Sequence, residues 1–130
     1  MKKLALLAAL LTAPAAAGSV TSTGTLWPHV YAAKITGAQP AVLNGTWRIV
    51  LRRTSYTIQR NGAVAVSGSL KISGKTVAFH DVAGPFSCRG SQVNGTYAWR
   101  LRGVKLTLAR VRDACPGRQL VLAHAFTRIA

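Results

Sequence analysis

Residues 45–52 read GTWRIVLR, and this stretch carries the pattern that decides the fold. Trp47 and Ile49 share one parity along the chain, whereas Arg48 and Arg52 share the other. Because successive side chains of a β-strand point to opposite faces, this alternation is typical of an antiparallel strand with one buried face and one solvated face. The sequence therefore predicts a strand whose apolar side chains point inward and whose arginines point outward.

Similar short stretches occupy the chain from residue 29 onward, separated by turn signals such as the Asn61-Gly62 pair. Successive strands with tight connections favour an up-and-down antiparallel meander, and eight of them can close into a small barrel. We predict an all-β, lipocalin-like eight-stranded barrel, with a β-sandwich as the alternative. The predicted strands lie at residues 29–36, 46–53, 55–60, 63–72, 76–81, 95–101, 104–112 and 118–127.

One predicted strand breaks the alternation, because Arg110 and Arg112 share parity with Leu106 and Leu108. We favour a β-bulge near Ala109, which would turn both arginines outward. The alternative is that Arg110 points into the barrel and lines a cavity.

The first residues of the chain have the pattern of a secretory signal peptide. Lys2 and Lys3 precede an apolar run at residues 4–11, and an alanine triplet ends at Ala17. The run is shorter than the roughly 20 residues that cross a bilayer as a helix. We predict a signal peptide at residues 1–17, an N-terminal extension at 18–28 and the barrel domain at 29–130. The mature protein is then secreted, periplasmic or in the cell envelope, with no transmembrane segment.

The charge of the chain is almost entirely positive, with 17 Lys and Arg residues against 2 acidic residues and a formal net charge of +15. Hydrophobic residues make up 49% of the chain, enough to form a core, and this excludes intrinsic disorder. A surface this basic attracts phosphates and carboxylates. The competing interpretation is that the charge only keeps the protein soluble.

Cysteine and acidic residues are both scarce. Cys88 and Cys115 predict a disulfide in an exported protein. Asp81 and Asp113 stand at turns, where a carboxylate commonly accepts hydrogen bonds from nearby backbone N–H groups. The chain has no Gly-x-Ser-x-Gly nucleophile motif, and its three histidines lack the spacing of metal ligands. We therefore predict neither an enzyme, nor a metal site, nor a cofactor.

Gly45 and Trp47 form a Gly-x-Trp signature, and Arg128 lies near the end of the last predicted strand. Together with the run Cys88…Gly95-x-Tyr97-x-Trp99…Asp113-x-Cys115-x-Gly117-Arg118, they resemble small secreted bacterial lipocalin-like proteins of the calycin superfamily. The resemblance implies that Arg128 packs across the Trp47 indole to close the barrel. It also implies that the barrel binds a small apolar molecule.

Two functions follow as expectations. The first is binding of a small hydrophobic or amphipathic ligand inside the barrel, unless side chains fill the interior. His124 would orient that ligand, and the predicted lining is Tyr56, Phe79, Tyr97, Trp99, Leu120 and His124. The alternative is a basic cell-envelope protein that binds anionic polymers or lipids through its outer surface. Specific nucleic-acid recognition is disfavoured, because single-strand binders place aromatic and basic side chains on the same surface. The sequence does not predict an oligomeric state.

Overall fold

The computed structural model describes residues 24–130, which form a closed eight-stranded barrel. Each strand pairs antiparallel with the next along the chain, and the last pairs with the first. The predicted all-β up-and-down barrel is therefore confirmed, and the sandwich alternative is excluded. The strands are β1 (His29–Ile35), β2 (Gly45–Leu51), β3 (Ser55–Arg60), β4 (Ala63–Ser73), β5 (Thr76–Ala83), β6 (Asn94–Arg102), β7 (Lys105–Asp113) and β8 (Phe126–Arg128).

The two ends of the barrel are built differently. At one end, which we call the turn end, the chain turns tightly between β2 and β3, between β4 and β5, and between β6 and β7. The opposite end carries the helix α1 (Pro116–Leu122) and the 3-10 turns Ala41–Leu43 and Gly90–Gln92. It also carries the Cys88–Cys115 disulfide, which confirms that prediction. We call it the disulfide end.

The predicted strand at residues 118–127 is wrong over most of its length, because the chain forms α1 there. Pro116 opens the helix, a position in which its missing N–H costs nothing. The buried side chains are Arg118, Val121 and Leu122, at the three- and four-residue spacing of one helix face. β8 is left with three residues, and Phe126 and Thr127 pair with only the first two positions of β7. No helix among residues 24–130 is long and apolar enough to span a membrane.

Aromatic side chains fill the middle of the barrel. Tyr56 packs edge-to-face on Phe79 with ring centroids 5.0 Å apart, and Phe79 packs likewise on Tyr97 at 5.9 Å. Each of these three side chains is about 1% exposed. The arginines of opposite parity, Arg48 and Arg52 among them, lie exposed on the outside. The inward and outward faces read from the sequence are therefore confirmed.

The irregular strand β7 contains the expected bulge two residues later than predicted. Thr96 pairs with Arg112 and Tyr97 pairs with Arg110, so Val111 is the extra residue. Arg110 is exposed and donates from Nη1 to Gln119 Oε1 at 2.6 Å. The bulge turns Arg112 to the outward face of Thr96, and Arg110, which pairs with Tyr97, is exposed and does not line the cavity between α1 and the barrel.

The segment ahead of β1 takes part in the core. Leu26 is 2% exposed, and its carbonyl oxygen accepts a hydrogen bond from the Tyr31 hydroxyl at 2.8 Å. Gly24 lies close to the side chain of Leu101 at the turn end. The barrel therefore includes part of the predicted extension at 18–28. The predicted signal peptide, residues 1–17, lies outside the described residues.

Candidate functional site

Arg118 on α1 meets both acidic residues of the chain at the disulfide end. Its Nε and Nη2 donate to the two carboxylate oxygens of Asp113, each at 2.8 Å. Its Nη1 lies 3.2 Å from Asp81 Oδ1. These three residues, which we call the buried charge cluster, are 5–8% exposed. A bidentate arginine–carboxylate pair is among the strongest polar contacts in proteins, and removing one partner from a buried pair is costly.

The guanidinium of Arg118 is held by contacts within the protein. Besides the two carboxylates, Nη1 donates to the carbonyl oxygen of Val93 at 3.1 Å and Nη2 donates to that of Gln92 at 2.8 Å. Four of its N–H groups therefore donate hydrogen bonds, and Nη1 also forms the ion pair with Asp81. The arrangement is that of a structural clasp, which joins α1 to the loop ahead of β6.

Two tyrosine hydroxyls complete the cluster. Tyr56 donates to Asp81 Oδ1, and Tyr97 donates to Asp113 Oδ2. Burial and these hydrogen bonds raise the pKa of both phenols well above its ordinary value. Burial also favours the neutral form of Asp113, but hydrogen bonds from Arg118, Tyr97 and the Cys115 N–H outweigh it and lower the pKa of that carboxyl. The cluster therefore holds ionised Asp113 beside neutral phenols.

The two carboxylates also fix the backbone on both sides of the disulfide. Asp81 Oδ2 accepts from the Cys88 N–H at 2.7 Å, and Asp113 Oδ1 accepts from the Cys115 N–H at 2.9 Å. Both acidic residues therefore bind backbone N–H groups as expected, but Asp81 lies within β5 and Asp113 ends β7, so the prediction that they stand at turns is wrong. Gly95 is needed beside them, since a Cβ there would lie 2.6 Å from Arg118 Nε.

A cavity of about 50 Å³ lies between α1 and the barrel at this end. It is much smaller than the roughly 300–1,000 Å³ of pockets that hold drug-sized ligands. Its polar walls are Asp81 and Arg118, which already bind each other. Its other lining residues are Leu43, Trp47, Ile58, Val66, Phe86, Cys88, Gly117, Val121 and Leu122.

None of the six residues predicted to line a ligand pocket borders this cavity. Tyr56, Phe79 and Tyr97 pack against one another in the middle of the barrel. Trp99 lies towards the turn end, where its Nε1 donates to the Gly74 carbonyl oxygen at 3.1 Å.

Leu120 and His124 are placed by the helix that replaces the predicted strand. Leu120 lies on α1 and is half-buried, and His124 follows the helix. His124 Nδ1 lies 2.9 Å from the Leu120 carbonyl oxygen, a contact local to the helix end. The helix therefore places Leu120 against the edge of the core and His124 just beyond its own C-terminal end.

The implied packing of Arg128 on Trp47 is wrong, because the two residues lie at opposite ends of the barrel. Trp47 stands near the start of β2, at the disulfide end, whereas Arg128 ends β8 and pairs with Tyr31 at the turn end. The additional strand β1 lies between β2 and β8, so those two strands run parallel. The aromatic partner of Trp47 is Phe86, edge-to-face at 5.7 Å, with the Arg60 guanidinium 5.7 Å above the Phe86 ring.

The outer surface is basic, and no acidic side chain offsets its positive charge. Residues 24–130 contain fifteen Lys and Arg side chains, and Arg118 is the buried one. The other fourteen are exposed or half-buried, and none forms a salt bridge among the described residues. Both acidic side chains of the chain are buried, so the exterior presents no acidic side chain at all.

The role of Arg118 is the feature that sequence reasoning missed. The signal was present, since a chain with two acidic residues has one of them in the run Asp113-x-Cys115-x-Gly117-Arg118. We expected the residues after 117 to form a strand, and a strand does not turn Arg118 back onto Asp113. The helix brings the two side chains together.

Comparisons with protein families, curated proteins and solved structures found no match for this chain. The architecture, a closed eight-stranded antiparallel barrel, is consistent with a lipocalin-like fold. No group of three or more metal-ligating side chains lies together within residues 24–130. The two features with chemical character are therefore the buried charge cluster and the basic exterior.

Proposed function

We propose that this protein binds anionic polymers or lipids of a cell envelope through the basic outer surface of its barrel. One observation carries the proposal: both acidic side chains are buried on Arg118, so fourteen cations remain outside without an acidic neighbour. Protein surfaces usually mix charges of both signs. A surface with one sign of charge attracts oppositely charged partners and speeds their association.

The kind of cation supports a partner with phosphate or carboxylate groups. Ten of the fourteen outer cations are arginines. The planar guanidinium matches phosphate and carboxylate oxygens in pairs, which the ammonium of lysine cannot do.

The placement of aromatic residues argues against reading of nucleic-acid bases. Proteins that hold single strands stack bases on exposed aromatic rings. All nine aromatic side chains of this chain lie within the described residues, and each is buried or half-buried. The exterior therefore offers charge without stacking platforms.

The proposal places the protein outside the cytoplasm, as a lipocalin-like member of the calycin superfamily. The Cys88–Cys115 disulfide supports this location, because disulfides persist in oxidising compartments. The sequence pattern of residues 1–17 supports export. Determining the N-terminus of the mature protein by mass spectrometry tests the predicted cleavage after Ala17.

The experiment for the main proposal is retention on immobilised heparin across a salt gradient. Binding that releases counterions weakens steeply with salt, and the logarithm of affinity falls by about 0.7–0.9 per logarithm of salt for each phosphate contact in nucleic acids. We expect strong retention that R48Q/R52Q/R100Q reduces, since all three side chains are exposed. Retention no stronger than that of an unrelated protein of equal net charge would overturn the proposal.

Binding of a small apolar ligand inside the barrel stays a prediction. The cavity beside Trp47 gives it a place, but about 50 Å³ admits only a ligand of a few heavy atoms unless α1 moves. Titration with a panel of fatty acids and aromatic probes, followed by indole fluorescence, tests it. A saturable change with little salt dependence would support this function, and a flat response across the panel would exclude it.

A further inference from the structure

Six of the fourteen outer cations gather at the turn end. Each of its three tight turns carries at least one of them, and the end of β8 adds another. Five are exposed and the last is half-buried. They are Arg52, Arg53, Lys75, Arg102, Lys105 and Arg128.

Two exposed apolar side chains lie among these cations. Val104, in the turn between β6 and β7, is 48% exposed, and Ile129, just after β8, is 50% exposed. The Arg128 N–H donates to the Val104 carbonyl oxygen at 2.7 Å, so the two segments are adjacent. Arg102 and Lys105 flank Val104 in sequence. The result is an apolar pair bordered by cations.

We propose that the turn end is the face that binds an anionic lipid bilayer, with its cations on the headgroup phosphates and with Val104 and Ile129 between the headgroups. The inference rests on the proposed function and names its partner and its face. Anionic bilayers bind this combination of side chains, because apolar side chains enter the headgroup region while cations contact anionic lipids.

The shape of the barrel favours its end over its wall as the contact with a flat surface. A convex wall meets a plane along a narrow line and presents few side chains to it. At the turn end, three turns and the end of β8 project together. A soluble anionic polymer can follow the curved wall and makes no use of exposed valine and isoleucine, so the apolar pair favours lipid.

Two matched variants separate the turn end from the wall. R53Q/R102Q/K105Q removes three exposed cations from the turn end, and R48Q/K71Q/R112Q removes three exposed cations from the wall. Both triples replace two arginines and one lysine, so the net charge of the two proteins is equal. Urea unfolding confirms that both retain the fold.

The experiment is co-sedimentation with vesicles of phosphatidylcholine alone and with vesicles in which phosphatidylglycerol replaces a third of the lipid. We expect binding to the anionic vesicles only. Each cation close to an anionic bilayer contributes about fivefold in affinity, so the turn-end triple should bind on the order of a hundredfold more weakly. The wall triple should lose only a few-fold.

A second pair of variants tests the apolar contact at constant charge. V104S and V111S each remove one exposed valine with basic neighbours, the first at the turn end and the second on β7. V104S should weaken vesicle binding about fivefold and leave heparin retention unchanged. V111S should change neither.

The outcomes separate this inference from the proposed function. Heparin retention without binding to anionic vesicles overturns the lipid assignment and leaves the proposed function standing. Equal losses from the two triples overturn the assignment to the turn end. Binding to neither heparin nor vesicles overturns both proposals.

Discussion

The two ends of the barrel use arginine in opposite ways. At the disulfide end, Arg118 is buried between Asp81 and Asp113, and its guanidinium also donates to two backbone carbonyl oxygens. At the turn end, five cations are exposed and Arg128 is half-buried, with no acidic side chain on the surface. The scarcity of acidic residues therefore matters more for this surface than the number of basic ones. With both carboxylates buried on one arginine, no other cation within residues 24–130 forms a salt bridge.

Removing the buried arginine should produce the largest effect. R118M leaves two buried carboxylates without their cation, and we expect the free energy of unfolding to fall by about 3–5 kcal/mol. R102M makes the same chemical change at the exposed turn end and should alter stability by less than about 0.5 kcal/mol. Urea unfolding of both variants measures the contrast. Similar losses from the two would remove the distinction between the ends.

Removing the disulfide should produce the second-largest loss of stability. C88A/C115A frees a loop of 27 residues' separation, for which the chain-entropy relation predicts a loss of about 3–4 kcal/mol. Because the turn end lies at the other end of the barrel, the folded variant should keep its heparin retention. A loss of retention at temperatures where the variant remains folded would show that the two ends are coupled.

The loss of stability at acid pH should originate at the disulfide end, where Asp113 lies. The pKa of Asp113 is lowered in the folded protein, so its contribution is complete above about pH 4, where an unfolded aspartate ionises, and is lost as pH falls through the lowered value. We expect R102M to show the same loss in acid as the unsubstituted protein. D113N should be less stable at neutral pH and less sensitive to acid. An unchanged acid dependence in D113N would contradict the assignment.

The loss of stability at alkaline pH should come from ionisation of the three tyrosines, all of which are buried. Burial raises the pKa of Tyr31 to about 12, with Arg128 opposing the shift, and it raises the pKa of Tyr56 and Tyr97 as well. Stability from these groups is complete below about pH 10, where an unfolded tyrosine ionises, and declines as pH rises through the folded values. Ultraviolet titration should therefore show no phenolate near pH 10. A tyrosine that ionises there in the folded protein would contradict the buried positions.

Much of the barrel could be predicted from the alternation of apolar and polar residues alone. The places where that prediction failed have physical causes. The apolar parity of β2 located the interior, because a strand exposes alternate residues to the same face. The same kind of alternation, at Leu120 and Leu122, wrongly predicted a strand at residues 118–127. The chain forms a helix there, and the helix buries Arg118, Val121 and Leu122. A seven-residue helix gives too few residues for its period to be distinguished from that of a strand.

The candidate site was harder to predict than the fold. The disulfide could be predicted from two cysteines and the expected export, and backbone contacts of the two aspartates were expected from turns, although Asp81 lies within β5 and Asp113 ends β7. The buried ion pairs depend on α1 and on the closure of the barrel, which bring Arg118 on α1 together with Asp81 on β5 and Asp113 on β7. The position of Arg128 could not be predicted for the same reason, because it depends on where the additional strand β1 lies in the barrel.

The salt dependence of stability measures whether the outer cations lack acidic neighbours. If the outer cations have no acidic neighbours, they repel one another, and sodium chloride should screen that repulsion while hardly affecting the buried cluster. We predict that the free energy of unfolding in urea, which is itself uncharged, rises with salt, and that it rises less for R53Q/R102Q/K105Q. A free energy of unfolding that falls with salt would contradict the account, because it would mean that the surface cations are held by attractive partners.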